Sequence, residues 1–150
     1  MDDASSFSPM QQLLDAQACR DLVLRAAART DAQEHEAFAA LFTPDGVLVR
    51  PGAEPLAGRD AIVASYRTRP ATRITRHVVS NTLVDFEAAD RARVRSQVLL
   101  WTGSTDAPVE RFGRKADAVQ ALGAFDDVMV RTPEGWRIAR REAGFTLYRE

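Results

Sequence analysis

The segment ITRHVVSN, residues 74–81, decides how this chain is read. Ile74, Val78 and Val79 are β-branched and Thr75 and Thr82 extend the bias, so the segment reads as a strand. At a period of two, His77, Val79 and Asn81 share one face, and Val78, Ser80 and Thr82 share the other. An imidazole and a carboxamide turned inward are costly in a solid core, where every buried polar group needs a partner. They are tolerable on a strand that faces a cavity.

The flanking sequence supplies such a setting. Ser8-Pro9 is a helix start, with serine as N-cap and proline at the first helical position. Leu14, Ala18, Cys19, Leu22, Val23 and Ala26 then recur at helical spacing, predicting a first helix over residues 9–29. Thr30-Asp31 interrupts it, and a short second helix is expected over 33–42. TPDG (43–46) reads as a turn, VLVR (47–50) as a short strand, PGAEPLAGRD (51–60) as a loop, and 61–67 as a third helix. Four long strands follow, over 73–86, 91–103, 118–132 and 135–148, with TPEG (132–135) as a hairpin turn and an irregular connection over 105–119. Helices first and antiparallel strands after make an α+β chain, with three helices covering the concave side of a strongly curved sheet. A bent sheet against helices forms a cone whose mouth can hold a small molecule. Residues 1–8 are expected to be a flexible or capping tail, and 9–149 a single domain.

The bulk numbers remove several function classes. At 150 residues the chain suits one domain. Twenty basic residues against 21 acidic ones leave a net charge of −1, so there is no overall electrostatic reason to expect nucleic acid or an anionic membrane as partner. The arginines between Tyr66 and Arg76 form a local patch, read as solvated. One cysteine, Cys19, allows no internal disulfide and reads as a small buried apolar residue. The N-terminus lacks the layout of a signal peptide and no apolar run approaches a membrane span, so a cytoplasmic location is expected. Two histidines without ligand-spaced partners leave no metal site, and nothing has the spacing of a phosphate loop. No cofactor is expected.

The order FAALFTPDGVL, GRDAIVASYR, RHVVSN and EGWRIARRE resembles the SnoaL-like branch of the nuclear transport factor 2-like superfamily, across residues 13–148. The resemblance implies a cone-shaped α+β barrel, often dimeric through the outer face of the sheet, and thus a homodimer here. The superfamily is chemically broad. It includes isomerases, dehydratases, dehydrochlorinases, polyketide cyclases, oxygenase small subunits and plain binding proteins. The nearest pattern is that of scytalone dehydratases and hexachlorocyclohexane dehydrochlorinases, which carry an aspartate just after the first helix and a histidine on the first long strand. Those positions match Asp31 in ARTDAQEHEAF and His77 in TRHVVSN, and Asn81 matches an asparagine that often follows the histidine. The scytalone enzymes also use tyrosines and a second pocket histidine; here the region before Asp31, Leu24 to Thr30, has no tyrosine, and the only other histidine is His35.

A histidine can take a proton from carbon or oxygen, and an ionised aspartate on its other ring nitrogen would fix its tautomer. With no supported serine or cysteine nucleophile, proton abstraction followed by loss of a leaving group or a double-bond shift remains. The expected function is a cofactor-independent lyase or isomerase acting on a small, largely apolar molecule. The alternative is a non-catalytic ligand-binding or interaction domain of the same fold. Asn81, Tyr66, Arg141, Asp126 and Asp127 are the further candidates for polar groups in the cone, and one residue of register decides which surface each faces. The bland readings stand beside these. Asp31 can cap the second helix, Asn81 can serve a β-bulge, His35 reads as solvated between two glutamates, and Trp101 and Trp136 read as packing residues.

Overall fold

The computed structural model describes residues 7–150. Most of the expected tail lies outside the described residues, but Phe7 packs edge-on against Phe86 with ring centroids 5.0 Å apart. Helix α1 spans Pro9–Asp31, two residues beyond the expected end. Ser8 caps it, its hydroxyl accepting from the Gln11 amide at 3.1 Å. Cys19, Leu22, Val23, Ala26 and Ala27 are buried on one face, the i, i+3, i+4 stripe that made the helix legible. Burial, with the Asp15 charge adding to it, pushes the Cys19 thiol up to about 12.

The chain reverses through Gln33, whose φ is 57°, into the single turn α2 (His35–Ala39). Strand β1 (Phe42–Val49) absorbs the expected TPDG turn as an irregularity. A side chain at Gly46 would come within 2.9 Å of the Phe42 Cβ and 3.0 Å of the Ile138 carbonyl oxygen, so the bend needs glycine there. Strand β2 (Leu56–Ala57) and helix α3 (Arg59–Arg67) follow. Then come the long strands β3 (Arg73–Ala88) and β4 (Arg91–Ser104), a short hairpin of β5 (Val109–Glu110) and β6 (Gly113–Arg114), and β7 (Gln120–Thr132) and β8 (Gly135–Arg149).

The main sheet runs β2-β1-β8-β7-β4-β3. All its pairs are antiparallel except β1 with β8, which is parallel. The sheet is strongly curved but stays open: β2 and β3 are its edges and do not pair, so helices rather than strand closure complete the cone. The core between helices and sheet holds Val23, Phe38, Phe42, Leu48, Ile62, Val94, Met129, Trp136 and Ile138. The indole of Trp136 donates to Asp15 at 3.0 Å, satisfying a buried carboxylate on α1. Trp101 differs from its expected packing role, lying 43% exposed. Opposite the helices, the outer sheet face carries the cross-strand pairs Arg93–Asp126 and Arg95–Asp85.

Candidate functional site

A cavity of about 370 Å³ opens between α1, α3, the end of β1 and the inward faces of β3, β4, β7 and β8. Its apolar wall includes Phe38, Leu48, Val98, Leu100, Phe125 and Phe145, and its polar lining includes Tyr66, Thr75, His77 and Arg141. The sheet locally forces this hollow. Gly123 sits beside a register shift between β7 and β8, and a side chain there would meet the Gly144 carbonyl oxygen at 2.3 Å.

Asp31 and His77 meet. His77 Nδ1 lies 2.6 Å from Asp31 Oδ1, the His77 amide donates to Oδ2 at 2.9 Å, and the Thr75 hydroxyl donates to Oδ1 at 2.8 Å. Both side chains are 15% exposed. An ionised carboxylate only accepts, so Nδ1 carries a proton, and in the neutral ring Nε2 then presents its lone pair. Nε2 has no hydrogen-bond partner among the described residues, and the ring lines the cavity. Burial alone would raise the Asp31 carboxyl, but the bonds from the His77 ring, the His77 amide and Thr75 together outweigh it and hold it below the usual carboxylate range. Asp31 is the last residue of α1 and caps nothing: Glu34 occupies the N-cap of α2, with no side-chain cap bond.

Arg141 lines the cavity but is almost fully buried, 3% exposed. Its Nε and one terminal nitrogen each donate to Asp127 at 2.7 Å, and its guanidinium carbon stands 4.1 Å from the Phe125 ring centroid. Asp127 is fully buried, and burial pushes its carboxyl upward against the pull of Arg141. Tyr66 is buried between Phe38, 5.0 Å between ring centroids, and the Arg69 guanidinium, 4.0 Å from its ring.

Asn81 and Asp126 are not brought to the cavity. The pairing of β3 with β4 slips between Ser80 and Leu83, and Asn81 occupies the bulge with φ 50°, exposed, its amide reaching Gln97 at 3.4 Å. The extra residue inverts the alternation, so Thr82, Val84 and Phe86 continue the inward face that His77 and Val79 began. Asp126 points to the outer face, bound to Arg93 at 2.9 and 2.5 Å. His35 is half-buried rather than solvated, 6.1 Å from the Tyr66 ring, with a buried Nδ1 that has no partner among the described residues.

Among the polar lining residues that sequence reasoning passed over are Thr75, Arg50, Arg69 and Arg73. Thr75 was within reach of the period-two argument, being two residues before His77. Arg69 and Arg73, read as part of a solvated patch, line the cavity together with Arg50; only tertiary structure separates them from Arg67, which turns outward to Glu36. Among the described residues no group of three His, Cys, Asp or Glu side chains is placed to hold a metal ion.

Residues 11–142 match the family of SnoaL-like domains. A crystal structure of a scytalone dehydratase-like protein from Novosphingobium aromaticivorans is similar, at 26% identity and a TM-score of 0.75, over 91% of this chain and 87% of that one. A Catenulispora acidiphila protein, crystallised in complex with S-DNPA, is 25% identical at a TM-score of 0.70, over 90% of this chain and 95% of that one. A type 2 hexachlorocyclohexane dehydrochlorinase shares the fold at a TM-score of 0.79 and 15% identity, over 94% of this chain and 91% of that one. No curated protein matches the sequence.

Proposed function

The chain belongs to the family of SnoaL-like domains, and from that premise we propose that it is a cofactor-independent lyase or isomerase acting on a small, largely apolar molecule. The observation that carries this reading is the 2.6 Å contact from Asp31 to His77 Nδ1, which leaves Nε2 as an unpartnered base on a mostly apolar cavity. In the proposed step Nε2 takes a proton from a ligand carbon. The C–H electron pair becomes a new double bond and expels a leaving group with its bonding pair from the neighbouring carbon, or displaces the π pair of an existing double bond to its far carbon, which takes the proton back from the imidazolium. The imidazolium so formed is stabilised by Asp31. Arg141, which shares the Phe125 ring with His77, is the group we assign to meet negative charge on the ligand as it develops.

The likeness to a scytalone dehydratase-like protein supports the reaction class, and the complex of the Catenulispora acidiphila protein supports a small-molecule occupant. A homodimer through the outer sheet face and a cytoplasmic location complete the proposal. No described helix is long and apolar enough to cross a membrane.

The test is a screen of dehydration, dehydrohalogenation and double-bond-shift substrates with the wild type, followed by His77→Gln and Asp31→Asn on any hit. Both variants should lose turnover. Full turnover of a hit by His77→Gln would refute the reading, and saturable ligand binding without any turnover would favour the non-catalytic binding domain.

A further inference from the structure

Among the described residues, the charged side chains that line the cavity are all basic. Arg50, Arg69, Arg73 and Arg141 contribute guanidinium groups to one hollow of about 370 Å³, and among the described residues no aspartate or glutamate lines it. Arg141 is neutralised from behind by Asp127. The other three have no carboxylate within ion-pair distance among the described residues. Arg50 gives one terminal nitrogen to the Ser65 hydroxyl at 2.7 Å, while its Nε is buried without a partner among the described residues. Arg50 and Arg69 both lie against the Tyr66 ring, at 5.3 and 4.0 Å. Burial holds the Arg69 guanidinium below its ordinary value, and the charges of Arg50 and Arg73 push it the same way.

On the outer sheet face, by contrast, Arg91, Arg93, Arg95 and Arg140 each meet a carboxylate. Three unpaired cations converging on a partly desolvated hollow repel one another and are costly to keep there without a counter-charge. A guanidinium offers a planar fork of donors matched to carboxylate or phosphate oxygens.

We propose that the cavity selects an organic anion, with a carboxylate or phosphate head held by Arg50, Arg69 and Arg73 and an apolar body reaching along the cavity to His77. Arg73 precedes His77 by four residues on the same strand face, about 13 Å of strand, so the head lies remote from the reacting end. This names the substrate class for the reaction proposed above and rests on that reading for the role of His77, while the charge selection stands on the arginines alone.

The test compares three probes of one shape, naphthoate, naphthyl phosphate and the neutral naphthamide, by isothermal titration calorimetry on the full chain. One anion or both should bind about tenfold or more tightly than the amide, the value of a charge-assisted hydrogen bond, and which anion wins identifies the head group. The advantage should shrink to about twofold in Arg50→Gln/Arg69→Gln. In Arg73→Gln, which changes an exposed rim residue and is safe for folding, it should fall by a smaller factor. It should persist in His77→Gln. Equal or tighter binding of the amide, no saturable binding of either anion, or an anion advantage unchanged in the arginine variants would overturn the inference. An anion preference that survives alongside a failed turnover screen would remove the lyase reading and leave this one standing.

Discussion

Replacing Asp31 by asparagine is expected to reverse the tautomer of His77. The Asp31 carboxylate receives three donors, of which the His77 main-chain amide is a donor that cannot be turned round. An asparagine at this position must therefore give its carbonyl oxygen to that amide, at the site of Oδ2. Its NH2 group then falls where Oδ1 stood, facing Thr75 and His77 Nδ1. The threonine hydroxyl can rotate to accept. Nδ1 meets an N–H donor and must offer its lone pair, which moves the ring proton to Nε2. The nitrogen that faces the cavity changes from acceptor to donor.

In a hydrolase triad the same substitution costs about ten-thousandfold in turnover through the wrong tautomer, roughly 5.5 kcal/mol of transition-state stabilisation. A loss of that order is expected for any proton-abstraction substrate of this protein. The tautomer can be read without a substrate. Long-range proton–nitrogen correlation of the imidazole at alkaline pH should place the pyridine-like nitrogen at Nε2 in the wild type and at Nδ1 in Asp31→Asn. His35 should be unchanged. An Nε2–H tautomer in the wild type, or identical patterns in the two proteins, would refute the reasoning.

Three further outcomes follow from the same geometry. Asp127→Asn should destabilise the fold by about 3–5 kcal/mol, because it leaves the Arg141 charge buried without its counter-ion; urea denaturation measures this, and a loss below about 1 kcal/mol would mean the pair is dispensable. Asn81→Gly should be neutral or slightly stabilising and Asn81→Val should cost about 1–2 kcal/mol, since φ 50° is unfavourable for a β-branched residue, with ligand affinity unaltered in both; an altered affinity would return Asn81 to the site. The Asp31 carboxyl, held below its usual value in the fold, binds fewer protons there than in the unfolded chain. Its contribution is complete above the unfolded value of about 3.9 and is lost as pH falls through the folded one, so below about pH 4 the wild type should lose stability more steeply than Asp31→Asn. Parallel acid limbs in the two proteins would contradict it.

Much of the fold was legible because its elements carry strong local signals. The buried stripe of α1, the alternation of Val94, Ser96 and Val98 on β4 and the TPEG turn each determine a type and a span. The misread pieces are those where tertiary contact overrides local chemistry. TPDG has turn residues, yet β8 draws it into β1 through a parallel pairing from distant sequence. Thr30-Asp31 resembles a helix break, yet the Thr30 hydroxyl bonds back to the Ala26 carbonyl at 2.9 Å and α1 runs on until Asp31 reaches β3.

The polar strand face turns on one bulge. Period-two reasoning placed Asn81 beside His77, and it fails because the extra residue at the slip between Ser80 and Leu83 carries Asn81 outward. The same slip is what allows one strand to serve two environments. Before it, Thr75 and His77 face the cavity; after it, Val84 and Phe86 pack against the core. Had the alternation continued unbroken, Leu83 and Asp85 would have turned inward and Val84 and Phe86 outward, burying a carboxylate at the expense of an aromatic ring. The asparagine, with its tolerance of left-handed backbone, thus supports His77 through the backbone rather than through its own amide.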